Sequence, residues 1–283
     1  MLSPEPLGST SFLKSELTTE SAIEHLRRSF GEATPFPHVA LNDALDVPSS
    51  VLSGAFPDPG WAGWHRYQDR YQQGKMICSD ISVIPETLAA LIDELSRPAF
   101  LEFLQKITGI PKLLTDPYLE GGGIHCSGPG GILAPHTDFH LYPRLGIYRR
   151  VNVLLYLNEQ WKQSWGGCLE LYGPGDDGPA RTIVPQWGTC VIFRTDDRSR
   201  HGFSRPIQDQ RWRRSVALYY YTADEAEDYS GDTNTYWSRL PVEGGSRRVR
   251  QTAYEALLLG SRGLAFFAHR LDPNLGGRRQ RRR

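Results

Sequence analysis

The sequence predicts a mainly β core of the sandwich, jelly-roll or barrel class, braced by helices that precede it. Two observations carry this reading. Between residues 150 and 221, short runs rich in β-branched and aromatic residues recur, bounded by Gly, Pro, Asp or Asn. Upstream, residues 18–30 and 85–108 place apolar side chains at helical spacing. At 283 residues the chain is long enough for one large domain with additions. The expected division is a helical or mixed bracing region over 1–117, a β core over 118–223, and a helical extension with a basic tail over 224–283.

The elements follow in order. Thr18, Thr19, Glu20 and Ser21 suit the start of a helix with Ala22, Ile23, Leu26 and Phe30 on one face. Residues 36–41 read as a short strand. The aromatic and polar segment 61–73 (WAGWHRYQDRYQQ) is less easily explained as packing, and a lid or substrate loop is the alternative reading. Residues 85–108 carry two helical patterns, Leu88, Leu91, Ile92 and Leu95, then Phe100, Phe103, Leu104 and Ile107, interrupted at Pro98. The strand-like runs are 150–157 (RVNVLLYL), 168–172 (CLELY), 180–184, 188–194 (GTCVIFR) and 216–221 (VALYYY). Beyond them, the acidic run 223–228 opens a linker-like stretch. Residues 252–271 read as a helix broken near Gly260 and Gly263, and the basic tail 276–283 reads as a solvated terminus.

His136, Thr137 and Asp138 form an H-x-D set, and His201 lies between the last two strand-like runs. In extended backbone, side chains two residues apart point the same way. His136 and Asp138 therefore converge while Thr137 faces away. Two imidazoles and one carboxylate make the facial ligand set of a mononuclear non-haem Fe(II) site, with the other positions open to a co-substrate and O2. An H-x-D tripeptide also occurs in surface turns. The β context supports the metal reading, because an antiparallel core can bring His201 beside the pair.

Residues 212–221 read WRRSVALYYY. Alternation puts Arg213, Ser215, Ala217 and Tyr219 on one side and Arg214, Val216, Leu218 and Tyr220 on the other. The first set is polar or small, as a cavity wall is; the second is apolar, as a packing face is. A guanidinium beside a hydroxyl suits a carboxylate held by charge-assisted hydrogen bonds. Arg213 is favoured for that role, with Arg214 as the alternative because the register is set by pairing.

With these residues in place, the stretch from about 121 to 222 resembles the double-stranded β-helix core of the Fe(II)/2-oxoglutarate-dependent dioxygenases, in their prolyl-4-hydroxylase-like branch. The matching residues are HTD at 136–138, YLN at 156–158, Trp161, GGCL at 166–169, His201 and RRSVALYYY at 213–221. The resemblance implies iron ligation by His136, Asp138 and His201. It implies chelation by the keto and C1 carboxylate groups of 2-oxoglutarate, and a grip on the C5 carboxylate by Arg213 and Tyr156. Leu169 matches an apolar wall of that pocket. Ser215 shares the Arg213 face, and Asn152 shares a face with Leu154 and Tyr156, so both are expected to line the same cavity. The interval from His201 to Arg213 is a little longer than in prolyl hydroxylases, and residues 206–210 supply a turn to absorb it. The implied reaction consumes O2 and 2-oxoglutarate, yields succinate and CO2, and hydroxylates an unactivated C–H, with ascorbate as reductant. Related halogenases have a small residue at the carboxylate position, so Asp138 favours hydroxylation; desaturation, cyclisation and epimerisation stay open.

His125 and His140 flank the set and read either as supporting or substrate contacts or as ordinary pocket or surface histidines. Cys78, Cys126, Cys168 and Cys190 form no C-x-x-C and are expected to be free buried thiols in a reducing compartment. That expectation, and a start without a charged and apolar leader, points to a cytoplasmic protein. No apolar run approaches a membrane span. Lys+Arg 32 balances Asp+Glu 32, which gives no general reason to expect nucleic acid or an anionic membrane as partner. The expected substrate is a small molecule or amino-acid derivative, and a peptidyl or protein prolyl-type side chain is the alternative. A cupin-like metal enzyme of another chemistry would use the ligands but leave Arg213 and Tyr156 without a role. A non-catalytic relative would be expected to lack a metal ligand, and none is missing.

Overall fold

The hydroxyl of Thr19 accepts a hydrogen bond from Ala22 N and caps α1 (Glu20–Glu32), which buries Leu26 and Phe30. In chain order there follow β1 (His38–Leu41), α2 (Ser49–Ala55), β2 (His65–Tyr67), β3 (Gln72–Cys78), α3 (Glu86–Glu94) and α4 (Pro98–Thr108). Next come β4 (Leu114–Thr115), β5 (Gly123–Thr137), β6 (Leu141–Tyr142), β7 (Ile147–Tyr156), β8 (Leu169–Tyr172) and β9 (Pro179–Ile183). The series closes with β10 (Cys190–Arg194), β11 (His201–Phe203), β12 (Arg213–Thr222) and β13 (Tyr236–Trp237). This computed structural model describes residues 11–175, 178–225 and 235–238, with isolated positions at 256, 257, 260 and 264. Of the expected C-terminal features, positions 226–228 of the acidic run and the basic tail lie outside the described residues. So does the expected 252–271 helix, apart from Ala256, Leu257, Gly260 and Leu264, which are helical.

The strands join in the order β1-β10-β7-β12-β5-β11-β8-β9, with β3 and β13 added to β5, β2 to β3, β4 to β12 and β6 to β7. β5 organises this arrangement. Its first half pairs with β12, from Gly123 opposite Ala217 to Ser127 opposite Arg213. Its second half pairs with β11, where His136 faces His201. The change of partner falls at Gly128-Pro129-Gly130-Gly131, a sequence that bends the strand. It passes β5 from the larger half of the sheet (β1, β10, β7, β12), called the larger sheet, to the smaller half (β11, β8, β9), called the smaller sheet. The result is the expected jelly-roll class, an antiparallel barrel around an open-ended cavity.

Alternation sorts each strand of the larger sheet. Val151, Val153 and Leu155, with Val216, Leu218 and Tyr220, face outward and pack with Leu88, Leu91, Leu104 and Ile107 of α3 and α4. Val191, Phe193 and Tyr156 face inward and pack with Leu169 and Leu171 of the smaller sheet. Pro98 begins α4 at its first turn, where no N–H is needed, which is why it divides the two helical patterns. The four cysteines are free and buried. Among the described residues no helix is long and apolar enough to cross a membrane.

Two expectations are revised. The segment 61–73 is no separate lid. Trp64 is buried edge-on to Trp61 at 5.3 Å and beside Phe56 at 6.0 Å, while β2 and β3 form a ribbon hydrogen-bonded to β5. Only its polar side, Tyr67 and Gln72, reaches the cavity. The N-terminal residues also do more than brace, because β1 pairs with β10 and β3 with β5.

Gly123 tests this arrangement. Its φ of +96° and a Cβ path blocked by the Cys78 carbonyl oxygen exclude a side chain where β3, β5 and β12 meet. Gly123→Ala is expected to cost about 3 kcal/mol in denaturant unfolding. Gly130→Ala, at φ +72° but with open space around the site, is expected to cost only about 1 kcal/mol.

Candidate active site

His136 near the end of β5 and His201 at the start of β11 are direct ladder partners, which brings their ring centroids to 4.5 Å. Asp138, just past β5, faces both, with a carboxylate oxygen 3.6 Å from His136 Nε2 and the other 3.7 Å from His201 Nε2. The potential ligand atoms of the three side chains all lie within 4.8 Å of one another. In each histidine, Nδ1 donates to a backbone carbonyl two residues back: His136 to Ala134 at 2.9 Å and His201 to Ser199 at 2.9 Å. A carbonyl can only accept, so both Nδ1 atoms carry the proton and both Nε2 atoms present lone pairs to the shared space.

The electrostatics agree. Burial, reinforced by His201, pushes His136 down to about 3, and burial also lowers His201. Burial alone would raise Asp138, but the Arg149 guanidinium, the two histidines and the Asn152 amide hold it well below the usual carboxylate range. Two neutral imidazole nitrogens and one ionised carboxylate fit Fe(II) by donor type and by convergence.

Arg149 and Asn152 set the carboxylate. Asn152 Nδ2 donates to Asp138 Oδ2 at 2.8 Å, Arg149 Nη2 lies 3.1 Å from the same oxygen, and Arg149 Nε donates to Asn152 Oδ1 at 2.8 Å. The guanidinium stacks 3.3 Å above the Tyr219 ring. Sequence reasoning missed Arg149 because strict alternation places it outward with Val151. In the β7–β12 ladder, however, Tyr220 faces Val151 and Tyr221 faces Arg149, so Arg150 is an inserted residue. That bulge turns Arg149 inward. The sequence signal is the arginine doublet heading an otherwise apolar strand.

On the other wall, Arg213 begins β12. Its Nε donates to the Gly167 carbonyl at 2.7 Å and its Nη2 to the Tyr156 hydroxyl at 3.0 Å. Leu154, Leu169 and Ser215 line the same cavity of about 220 Å³ that holds the triad and Asn152. Arg214 points to the opposite face, its guanidinium 5.4 Å from the Phe56 ring. The turn at 206–210 ties to the β5 bend through Gly130 N to Ile207 O and Ile207 N to Gly131 O. His125 lines the cavity and contacts the Gly121 carbonyl. His140 is buried 3.5 Å from Asp197 and is not among the converging ligands. Trp237, also missed, packs on His136 at 4.8 Å and stacks on Tyr71, because β13 pairs with the end of β5. A larger cavity of about 360 Å³, between the N-terminal segment and α4, shares no residue with this one.

A jelly roll with two histidines and a carboxylate converging inside it is the architecture of a non-haem metal oxygenase core. Residues 122–221 match the sequence model of the 2OG-Fe(II) oxygenase superfamily. Prolyl 3-hydroxylase OGFOD1 of Xenopus laevis is 35% identical over 77 residues, 26% of this chain; the chain covers 15% of that relative's length. The solved structure of SnoN, a non-heme alpha ketoglutarate dependent epimerase from nogalamycin biosynthesis, is similar in fold at TM-score 0.53. It is 16% identical, over 80% of this chain and 90% of that one. A Pseudomonas putida prolyl-4-hydroxylase aligns at TM-score 0.49 and 18% identity, over 70% of this chain and 98% of that one.

Because burial lowers both histidines, Ni(II) uptake at pH 6 is expected to release clearly fewer protons than two histidines of ordinary pKa would. Such an ordinary pair would release about 1.5. Calorimetry in buffers of different ionisation enthalpy measures the difference. The sign for stability follows: with histidine pKa values lowered on folding, the metal-free protein loses stability as pH falls below about 6.5. Arg149→Met is expected to weaken Ni(II) binding by about 10- to 100-fold, as loss of a group that orients a ligand does.

Proposed function

We propose that this protein is an Fe(II)- and 2-oxoglutarate-dependent dioxygenase that hydroxylates an unactivated C–H of a small molecule or amino-acid derivative. One observation carries the reading: the triad and Arg213, which is braced by the buried Tyr156 hydroxyl, line the same cavity. When bound, iron and 2-oxoglutarate with O2 would supply the oxidising power that no side chain has. The chain's own part is binding and orientation. His136 and His201 would hold the metal through Nε2, and Asp138 through a carboxylate oxygen steadied by Asn152 and Arg149. Arg213 has two donors committed to Gly167 and Tyr156, which leaves further N–H groups for the distal carboxylate of 2-oxoglutarate. The Tyr156 hydroxyl, which accepts from Arg213, can donate to the same carboxylate, and Ser215 adds a hydroxyl to that wall. Leu154 and Leu169 keep the wall apolar and water out.

Residues 118–223 are taken as the catalytic core, 1–117 as a region that braces it and adds β1, β2 and β3 to its sheet, and 224–283 as an extension. Ascorbate is assigned as the reductant that keeps the metal ferrous. The four free buried thiols suit a reducing compartment, which supports a cytoplasmic location. The 35% identity to the Xenopus prolyl 3-hydroxylase favours a second reading, in which the substrate is a peptidyl or protein side chain. A cupin-like enzyme of other chemistry would leave the Arg213–Tyr156 pair idle.

Succinate formation from 2-oxoglutarate under air, with Fe(II) and ascorbate, tests the reading. His136→Ala is expected to abolish it. Arg213→Ala is expected to weaken 2-oxoglutarate binding roughly 30-fold or more, as loss of a buried charge partner does. Arg214→Ala is expected to leave it unchanged. Failure of the Ni(II)-loaded protein to bind 2-oxoglutarate in calorimetry would sink the reading.

A further inference from the structure

Among the described residues, four charged side chains line the cavity: Asp138, Arg149, Arg213 and Lys75. The histidines are neutral there, so three cations face one carboxylate, an excess of two positive charges. A divalent metal adds two and dianionic 2-oxoglutarate removes two, so the excess persists with both bound. Arg149 is paired with Asp138, and Arg213 is the group assigned to 2-oxoglutarate. Lys75 makes no ion-pair contact among the described residues; Asp138 and Asp69 act on it only from a distance.

Lys75 is well placed to meet a counter-charge. It sits opposite Ser127 on β5, which in turn sits opposite Arg213 on β12, so the three form one row across adjacent strands. Among the described residues its ammonium has no carboxylate partner. It donates to Gln72 Oε1 at 3.0 Å and lies 5.6 Å from the centre of the Tyr67 ring. An amide oxygen and an aromatic face solvate a cation without neutralising it. Burial lowers Lys75 to about 8, so it is still mostly charged at neutral pH. Its amine is turned toward the β2–β3 ribbon, while the Arg213–Tyr156 pair stands two and three strands away. One 2-oxoglutarate held at that pair leaves Lys75 to a second ligand.

We propose that the prime substrate carries an oxyanion group, a carboxylate or a phosphate, which Lys75 receives together with Gln72 and Tyr67 on the ribbon. This rests on the dioxygenase reading and narrows its substrate class. It also gives the polar side of the 61–73 segment a role that packing does not.

The test uses full-length protein loaded with redox-inert Ni(II). Calorimetry first compares 2-oxoglutarate binding to wild type and Lys75→Met. Affinities equal within about twofold are expected, and a loss of about tenfold or more would assign Lys75 to the co-substrate and overturn the proposal. Wild type that fails to bind 2-oxoglutarate would instead break the dioxygenase reading. Cyanate, a small reagent that carbamoylates uncharged amines, is then applied to the wild type saturated with Ni(II) and 2-oxoglutarate. Modification of Lys75 is read by mass spectrometry in the presence of acetate, methyl phosphate or the neutral isostere acetamide. Acetate or methyl phosphate is expected to slow the reaction at Lys75 roughly fivefold near saturation, and acetamide is not. The more protective anion distinguishes carboxylate from phosphate. Equal protection by acetamide, no protection at all, or an unreactive Lys75 would each overturn the proposal.

Discussion

Opposite positions on β5 and β11 hold the His136 and His201 rings 4.5 Å apart, and Asp138, the next residue past β5, faces both. Everything else in the site depends on that ladder register. A slip of one residue would turn one histidine to the other face of its strand and dissolve the set. The register is held from both ends of β5. Its first half is locked to β12 and β3, its second to β11 and β13, and the glycine-rich bend between them lets one strand serve two sheets. The metal ligands are therefore positioned by the same pairing that closes the barrel.

Burial then decides the charge state. In a low-dielectric cavity an imidazole gives up its proton, and a carboxylate stays ionised only where cations and N–H donors surround it. Asp138 has Arg149 and Asn152, and Arg149 in turn is enclosed by Tyr219 and Phe139. Replacing Arg149 or Asn152 removes a polar partner of the buried Asp138 carboxylate. The neutral histidines and the ionised carboxylate are thus a consequence of packing, set before any metal arrives.

The cavity carries a gradient of purpose across its walls. One side holds the triad and its supports; the β12 side holds Arg213 braced by Gly167 and Tyr156; the β3 side presents Lys75, Gln72 and Tyr67. Three strands supply one row of polar side chains, which is how a barrel of mostly apolar residues presents several ligands' worth of recognition in about 220 Å³.

Features with local causes were legible in the sequence. Period-two alternation tells that His136 and Asp138 share a side, and that Arg213 parts from Arg214. Helical spacing and a threonine cap locate α1, and Pro98 separates α3 from α4. What depends on partners far along the chain was not legible. The Gly-Pro-Gly-Gly run conceals β5, because its bend is stable only when β12 and β11 take the two halves. Arg149 faces inward only because of a bulge against Tyr220 and Tyr221. Trp237 and Lys75 enter the site through pairings of β13 and β3 with β5. By itself the sequence determined the chemistry on offer, through residue type and local period; only the tertiary structure decided which of those groups share one cavity, because strand register is a property of pairs.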